Sequence, residues 1–220
     1  MLKISEVIKK RIVDNNGTFL ANDNISNFIN DGELTLLQKE VEEKISDVLQ
    51  SLVIDVENDH NTKETAKRVA KMYLTEVFKG RYIESPKITD FPNTKKLDEL
   101  YIVGPITIRS ACSHHLVPIV GKVWVGVLPS DNVIGISKFN RLIDWIMSRP
   151  HIQEEAVIMI ADELERVMKP KGIAVYMKAQ HMCMTWRGVK EHETEMINSV
   201  MRGEFRDQNG LKAEFLSAVK

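Results

Sequence analysis

Two short segments combine cysteine with histidine, and they are the first candidates for chemistry in this chain. Cys112 is followed two and three positions later by His114 and His115, and Cys183 stands two positions after His181. Thiolate sulfur and imidazole nitrogen are ligands that zinc prefers, and catalytic zinc sites often use three protein ligands and keep a fourth position for water. The chain has only these two cysteines, and a structural disulfide between them would be unusual in a reducing cytosol. The residue types therefore predict a metal site formed by Cys112, one adjacent histidine and Cys183.

The spacing within each segment indicates how the histidines divide between metal and substrate. His114 and His115 are neighbours, and neighbouring side chains on an extended backbone point in opposite directions, so one can bind the metal while the other faces a substrate. His181 and Cys183 are two positions apart and are predicted to share one face of a strand, which places another imidazole near the metal. The alternative is that both cysteines are small buried apolar residues. Histidines beside both cysteines favour the metal site.

Positive charge is concentrated at two further places. Residues 137–141 have the sequence Ser-Lys-Phe-Asn-Arg at a predicted helix start, and Arg187 follows Cys183 by four positions. Backbone N–H groups at a helix N-terminus attract anions, and Lys and Arg side chains add charge and hydrogen bonds suited to phosphate. A solvated helix face is the commoner explanation of an isolated pair of cations, so this pattern alone is weak evidence for a phosphate site.

Another predicted helix opens with Gln153, Glu154 and Glu155, two of which carry carboxylates. A carboxylate in a first turn complements the helix dipole, which explains the pattern without any function. One carboxylate could also accept hydrogen bonds from the guanidine-like edge of a purine. The sequence pattern leaves both interpretations open.

The elements that must position these residues follow from hydrophobic periodicity. Apolar residues at helical spacing predict helices at 2–14, 34–52, 62–79, 137–149, 151–168 and 208–219. Val- and Ile-rich segments bounded by turns predict strands at 100–110, 117–128, 172–183 and about 194–206. Thr62 and Ser137 are predicted helix caps, and residues 15–33 and 84–96 are predicted loops. This order predicts an α+β fold, with an antiparallel β-sheet and helices packed on one face.

The bulk composition excludes several classes of function. The chain has 220 residues, a formal net charge of −1, 43% hydrophobic and 28% charged residues, which is an ordinary globular balance. A nearly neutral chain is not expected to coat nucleic acid or a membrane surface. No apolar run approaches the roughly 18 residues of a membrane-spanning helix, and the N-terminus lacks the uninterrupted apolar centre of a secretion signal. We therefore expect a cytoplasmic protein with no nucleic-acid or membrane partner.

Five segments together resemble the GTP cyclohydrolase I family and its tunnelling fold. They are TAKRVAKMYLTEVFKG, CSHHLVPIVGKVWVGVLPSDNVIGISKFNRL, IQEE, HMCMTWRGV and GEFRDQNGLKAEFL, so that the resemblance covers about residues 60–220. It implies a catalytic domain at 56–220, preceded by an N-terminal helical extension and linker at 1–55. It also implies a homo-oligomer, typically a decamer, in which the sheets of several subunits join into a barrel and the active sites lie at subunit boundaries.

The resemblance assigns roles to the cysteine and histidine residues. It implies that Cys112, His115 and Cys183 bind zinc, although iron or manganese could occupy a similar donor set. It implies that His114 and His181 act in proton transfer, which suits a side chain that titrates near neutrality.

The resemblance also assigns the substrate contacts. Ser137, which we group with the catalytic residues, contacts the ribose and triphosphate together with Lys138 and Arg141. Phosphate contacts come from Arg187 and, from another subunit, Arg68, and the guanine ring is held by Gln153 and Glu154.

The implied reaction is zinc-dependent hydrolysis of the imidazole ring of GTP, which releases formate and forms 7,8-dihydroneopterin triphosphate for a pterin or folate pathway. Two alternatives stay open. One is an enzyme of the same architecture that acts on another purine nucleotide or stops at the ring-opened formamide. The other is a non-catalytic zinc-binding assembly subunit, against which the presence of His114 and His181 argues.

The chain departs from the usual family pattern at a few positions near these motifs. Ser113 stands where the family usually has glutamate, which removes a negative charge beside the predicted metal. Glu155 replaces an arginine, Trp186 replaces a smaller side chain, and Met196 and Asn198 replace threonines. Every predicted zinc ligand and both catalytic histidines are retained.

Overall fold

The computed structural model describes residues 3–219, and the polypeptide divides into two compact units, Met1–Glu84 and Ser85–Lys220. The division after Glu84 separates two compact units and does not test where the catalytic domain begins. The predicted start of that domain at residue 56 stays a prediction. No helix within residues 3–219 is both long enough and apolar enough to cross a membrane.

The described part of the first unit is helical. Its elements are α1 (Ile4–Asp14), a 3-10 turn (Ser26–Phe28), α2 (Glu33–Ser51), α3 (Thr65–Lys71), a π-helical turn (Met72–Val77) and α4 (Lys79–Tyr82). Ile8 and Ile12 of α1 pack against Ile25 in a small apolar core, as the helical spacing of apolar residues predicts. Arg11 forms a two-fold ion pair with Glu33, at 2.7 and 2.8 Å, which joins α1 to α2.

The predicted helix at 62–79 is wrong in its start and in its continuity. It begins at Thr65, and its regular hydrogen bonding changes to a π-helical turn after Lys71. Thr62 does not cap it, because the Thr62 hydroxyl donates to the carbonyl oxygen of Asp55 at 2.6 Å. A hydroxyl used in this way holds the preceding loop instead of the first helical N–H groups.

The second unit contains a five-stranded sheet with the strand order β5-β2-β3-β6-β7 and a separate pair, β1-β4. The strands are β1 (Asp90–Pro92), β2 (Tyr101–Cys112), β3 (Pro118–Leu128), β4 (Asn132–Ile134), β5 (Pro150–His151), β6 (Gly172–His181) and β7 (Met196–Gly203). All pairings in the large sheet are antiparallel, except that the short β5 runs parallel to β2. The helices of this unit are α5 (Ile136–Met147), α6 (Gln153–Met168), α7 (Met182–Thr185), α8 (Glu204–Asp207) and α9 (Asn209–Ala218).

The main core lies between one face of the sheet and the helices α5 and α6. Alternate residues of a strand point to the same face. On the central strands β3 and β6, the residues that face α5 and α6 are Val123, Val125, Val127, Ile173, Val175 and Met177. On the opposite face, Phe215 of α9 packs with Phe205. A side chain at Gly126 would lie 2.6 Å from the ring of Phe215, so only glycine leaves room for this contact. The predicted α+β fold is confirmed, with α9 as an additional cover on the second face.

The start of α5 differs from the prediction. Gly135 is the N-cap of α5, and the helix ends at Met147. Ser137 therefore lies within the first turn, where its side chain is exposed, and it is not the cap that the sequence predicted.

Candidate metal centre and active site

Cys112 is the last residue of β2, and a tight turn joins it to β3. The N–H of Cys112 donates to the carbonyl of Val117 at 2.9 Å, and the N–H of Leu116 donates to the carbonyl of Cys112 at 2.8 Å. His114 and His115 lie in the turn itself, with ring centroids 6.4 Å apart and ring planes at 76°. The premise that these histidines lie on an extended backbone is wrong, but the turn still directs their two rings differently.

Cys183, unlike Cys112, lies outside a strand. β6 ends at His181, and Met182–Thr185 form one helical turn in which the N–H of Trp186 donates to the carbonyl of Met182 at 3.0 Å. The prediction that His181 and Cys183 share a strand face is therefore wrong. The two cysteine segments are nevertheless adjacent, because β3 pairs with β2 on one side and with β6 on the other, with Ile119 opposite His181.

The structure brings Cys112, His115 and Cys183 together. One ligand atom of each residue lies within 4.8 Å of the other two, and neither cysteine is in a disulfide. Two ligands that each bind zinc at about 2.0–2.3 Å in tetrahedral geometry lie about 3.5–3.8 Å apart. The three donors therefore need only small shifts to bind one ion.

The electrostatics of the thiols agree with a cation at this position. Burial raises the pKa of Cys183, and the nearby Cys112 raises it further, while Arg187 acts in the opposite direction. A thiol with a raised pKa is stabilised as the thiolate when a divalent cation binds it. Two cysteines and one histidine are a donor set that fits zinc and leaves a fourth position open.

His114 and Arg187 flank the three donors. Nδ1 of His114 lies 3.7 Å from Sγ of Cys112, and one guanidinium nitrogen of Arg187 donates to Nε2 of His115 at 3.4 Å. Both residues are exposed. An imidazole and a fixed positive charge thus lie at the solvent side of the donor group, where a substrate can reach them.

His181 contacts the start of α6. Its Nε2 lies 2.8 Å from Oε1 of Gln153, a residue that is only 1% exposed. Burial lowers the pKa of His181, and the negative charge of Glu154 partly opposes this effect. Glu154 itself is exposed. The predicted guanine contacts are therefore beside a predicted catalytic histidine, and their roles stay predictions.

The predicted phosphate contacts lie on other elements. Ser137, Lys138 and Arg141 occupy the first two turns of α5, and Nζ of Lys138 donates to the carbonyl of Lys87 at 3.0 Å. Arg68 lies on α3 in the first unit and is exposed. Their contacts with substrate stay predictions.

His151 supports the turn that carries the metal donors, and the sequence analysis missed it. Its backbone carbonyl accepts the N–H of Ser113 at 3.0 Å, and its Nε2–H donates to the carbonyl of Ile146 at 2.7 Å. The side chain is fully buried, and burial lowers its pKa to about 4, so it is neutral at physiological pH. No spacing signal could have found it, because β5 is only two residues long.

The chain has an α+β fold in which a Cys-His-Cys donor group lies at the ends of neighbouring strands. Such a fold and site indicate the class of metal-dependent enzymes. Residues 41–220 match the model of the family described as GTP cyclohydrolase I, and the chain therefore belongs to that family of hydrolases. The chain is 36% identical over 181 residues to GTP cyclohydrolase 1 of Haemophilus ducreyi. This alignment covers 82% of this chain and 83% of the relative.

Two further likenesses complete the comparison. GTP cyclohydrolase 1 of Flavobacterium johnsoniae is 35% identical over 183 residues, covering 83% of this chain and 81% of the relative. The crystal structure of the archaeosine synthase QueF-Like in the apo form aligns with a TM-score of 0.37 and 16% identity, over 55% of this chain and 97% of that chain. This last likeness is too weak to support any conclusion about the fold.

Proposed function

We propose that this GTP cyclohydrolase binds zinc through Cys112, His115 and Cys183 and uses it to open the imidazole ring of GTP. The proposed products are formate and 7,8-dihydroneopterin triphosphate. The observation that carries the proposal is the convergence of three ligand atoms from two distant segments within 4.8 Å of one another. When bound, zinc would act as a Lewis acid that lowers the pKa of water, so that hydroxide is available as a nucleophile near neutral pH.

The residues around the donor group supply the remaining chemistry. His114 and His181 move protons to and from the purine ring, a task for which imidazole is suited near neutral pH. Both contact the donor group or its neighbours: His114 lies against Cys112, and His181 is held by Gln153. Glu154 offers a carboxylate to the N–H groups of the guanine edge, which is the part of the base that distinguishes it from adenine.

The triphosphate is bound by cations from several elements. Ser137, Lys138 and Arg141 lie at the start of α5, where backbone N–H groups also favour anions. Arg187 lies beside His115 and links the phosphates to the metal side of the site. Arg68 completes the phosphate site from another copy of the chain. Guanidinium groups suit this task because they bind phosphate with paired hydrogen bonds.

Assembly into a homo-oligomer, with a decamer as the specific proposal, follows from the edges of the sheet. β5 pairs only with Ala111 and Cys112, so most of the long β2 has no strand on that side within residues 3–219. An open edge must be paired or covered in a stable protein. Joining the sheets of several subunits would satisfy these edges and would bring residues of neighbouring copies to one site.

Turnover of GTP by the purified, zinc-loaded chain tests the proposal directly. We expect formate, measured enzymatically, and a fluorescent pterin after oxidation, in equal amounts. Chelation should abolish both products, and added zinc should restore them. Consumption of GTP with neither formate nor the pterin would replace the product assignment with the ring-opened formamide, which still holds the formyl group. The absence of any turnover of GTP would refute the proposal.

A further inference from the structure

A hydrogen-bonded chain leads from β7 through Gln153 to one ring nitrogen of His181. Nε2 of Gln153 donates to the carbonyl oxygen of Met196 at 3.0 Å and to Oδ1 of Asn198 at 2.7 Å. Oε1 of Gln153 lies 2.8 Å from Nε2 of His181. Gln153 is almost fully buried, and hydrogen bonds in such an environment are stronger than the same bonds in water.

The carbonyl of Met196 determines the orientation of the Gln153 amide. A carbonyl oxygen accepts hydrogen bonds but cannot donate, so the NH₂ group of Gln153 must face it. The amide oxygen then faces His181, and since this oxygen also only accepts, Nε2 of His181 must carry the hydrogen. The flipped amide would place two acceptors against each other. The contact therefore selects one tautomer and one ring orientation of His181.

The packing of α6 on β7 explains why Gln153 meets this pair of acceptors. Met196 and Asn198 are two positions apart on β7 and face α6, as does Arg202, which forms ion pairs with Asp162 at 2.5 Å and Glu165 at 2.7 Å. From Gln153 to Asp162 the helix rises about 14 Å, and from Asn198 to Arg202 the strand advances about 13 Å. Polar contacts at both ends thus hold the helix in one register on the strand.

We propose that Asn198 is a positioning residue, which acts through Gln153 to hold His181 with its Nε2–H toward the protein. This inference rests on the proposed function, in which His181 exchanges a proton with the purine. This arrangement leaves Nδ1 of His181 as the ring nitrogen that contacts the substrate. It also gives a role to Asn198, which stands where the family usually has threonine. Asn198 itself does not contact substrate in this arrangement.

A matched pair of substitutions tests the role of the acceptor oxygen. Asn198→Leu keeps the approximate shape and removes the acceptor, whereas Asn198→Asp keeps an acceptor at the same reach. We expect kcat to fall about tenfold in the Leu variant while KM for GTP changes less than threefold. The Asp variant should remain within threefold of wild type in kcat. Ser199→Ala, on the neighbouring residue of β7, whose side chain is exposed, is the control and should match wild type, and zinc content should be the same in all variants.

Two further measurements separate positioning from a general loss of stability. In the Gln153→Ala background, Asn198→Leu should cause no additional loss, because the chain of contacts is already broken. Crystal structures should show the Gln153 amide or the His181 ring displaced in the Leu variant and restored in the Asp variant. Wild-type kcat in the Leu variant, equal losses in the Leu and Asp variants, or additive effects with Gln153→Ala would overturn the inference.

The crystal structures also distinguish a failure of this inference from a failure of the proposed function. If the wild-type chain does not turn over GTP, the proposed function fails, and the position of the His181 ring alone decides the inference. A ring that is unmoved in the Leu variant then overturns it, and a displaced ring supports it.

Discussion

At the scale of single residues, the candidate site depends on the different tasks of chemically similar side chains. His115 is one of the three candidate metal donors, His114 lies against the sulfur of Cys112, and His181 is held by a buried amide. His151 differs from all three, since it is buried, neutral and bonded to backbone. Environment rather than residue type therefore separates the proposed metal ligand, the proposed proton carriers and the structural support.

The different proposed roles of a metal ligand and a proton carrier predict different outcomes for substitutions at Cys183 and His114. His114→Ala should keep about one zinc per chain and lose at least 100-fold in turnover, since general acid–base catalysis contributes roughly 10²–10⁴-fold. Cys183→Ser should lose the metal, because a hydroxyl is a poor substitute for a thiolate ligand. Metal analysis and formate release on the same samples measure both effects.

His60→Ala is a suitable control for these two variants, because the His60 side chain is 91% exposed and lies in the first unit. It should retain both zinc and activity. Full activity in His114→Ala would show that the proton-transfer role is assigned to the wrong residue.

At the scale of secondary structure, β3 determines whether the site forms. It is the strand that pairs with both β2 and β6, whose ends carry Cys112 and His181. Gly121 lies near the start of β3, beside the ends of β2 and β6. A side chain there would collide with the backbone carbonyl of Lys178 and lie 2.5 Å from Cβ of Ala179. The close approach of β3 and β6 at this point therefore requires glycine.

We expect Gly121→Ala to lower the free energy of unfolding by roughly 1–3 kcal/mol, since the colliding atoms are backbone and cannot move aside cheaply. Zinc affinity should also fall, because the displaced strand separates the two cysteine segments. Thermal or denaturant unfolding and a zinc titration provide the measurements.

Gly210→Ala in α9 is the matched control for this substitution. Among the described residues, no atom lies within 4 Å of a Cβ added at Gly210. Because alanine favours a helix more than glycine does, stability should be unchanged or higher by up to about 1 kcal/mol. Equal stability of Gly121→Ala and wild type would contradict the proposed role of the close strand contact.

At the scale of the whole molecule, the candidate site is open on the side of the predicted phosphate contacts. His114, His115, Arg141 and Arg187 are all exposed within one copy of the chain. Exposed cations and imidazoles interact weakly with a ligand because water screens their charges. A neighbouring subunit that covers this side would lower the local dielectric and strengthen binding of the triphosphate.

We therefore expect the chain to be oligomeric in solution, with a mass near ten times the chain mass of 25.1 kDa. Light scattering after size exclusion measures this mass directly. Dilution that dissociates the oligomer should lower GTP turnover per chain, because each site then loses its contribution from a neighbour. A fully active monomer would contradict both the assembly and the shared site.

The sequence by itself determined the types of the longer helices and strands and the residues that could do chemistry. Helices α2, α6 and α9 follow from the helical spacing of their apolar residues. Strands β2, β3 and β6 follow from Val- and Ile-rich segments bounded by turns. Both signals are local properties of the sequence. The metal donors could be proposed because cysteine beside histidine is a chemically distinctive combination. The family resemblance then selected His115 over His114.

Only the tertiary structure decided the contacts between distant residues. The strand predicted at 172–183 ends at His181 and is followed by a helical turn at 182–185. Residues 113–115 form a turn and not the extended backbone from which the directions of the two histidines were predicted. The chain from Asn198 through Gln153 to His181 joins residues up to 45 positions apart. Such contacts depend on the register of α6 against β7, which no local pattern encodes, because hydrogen bonds between elements form only after the elements are placed.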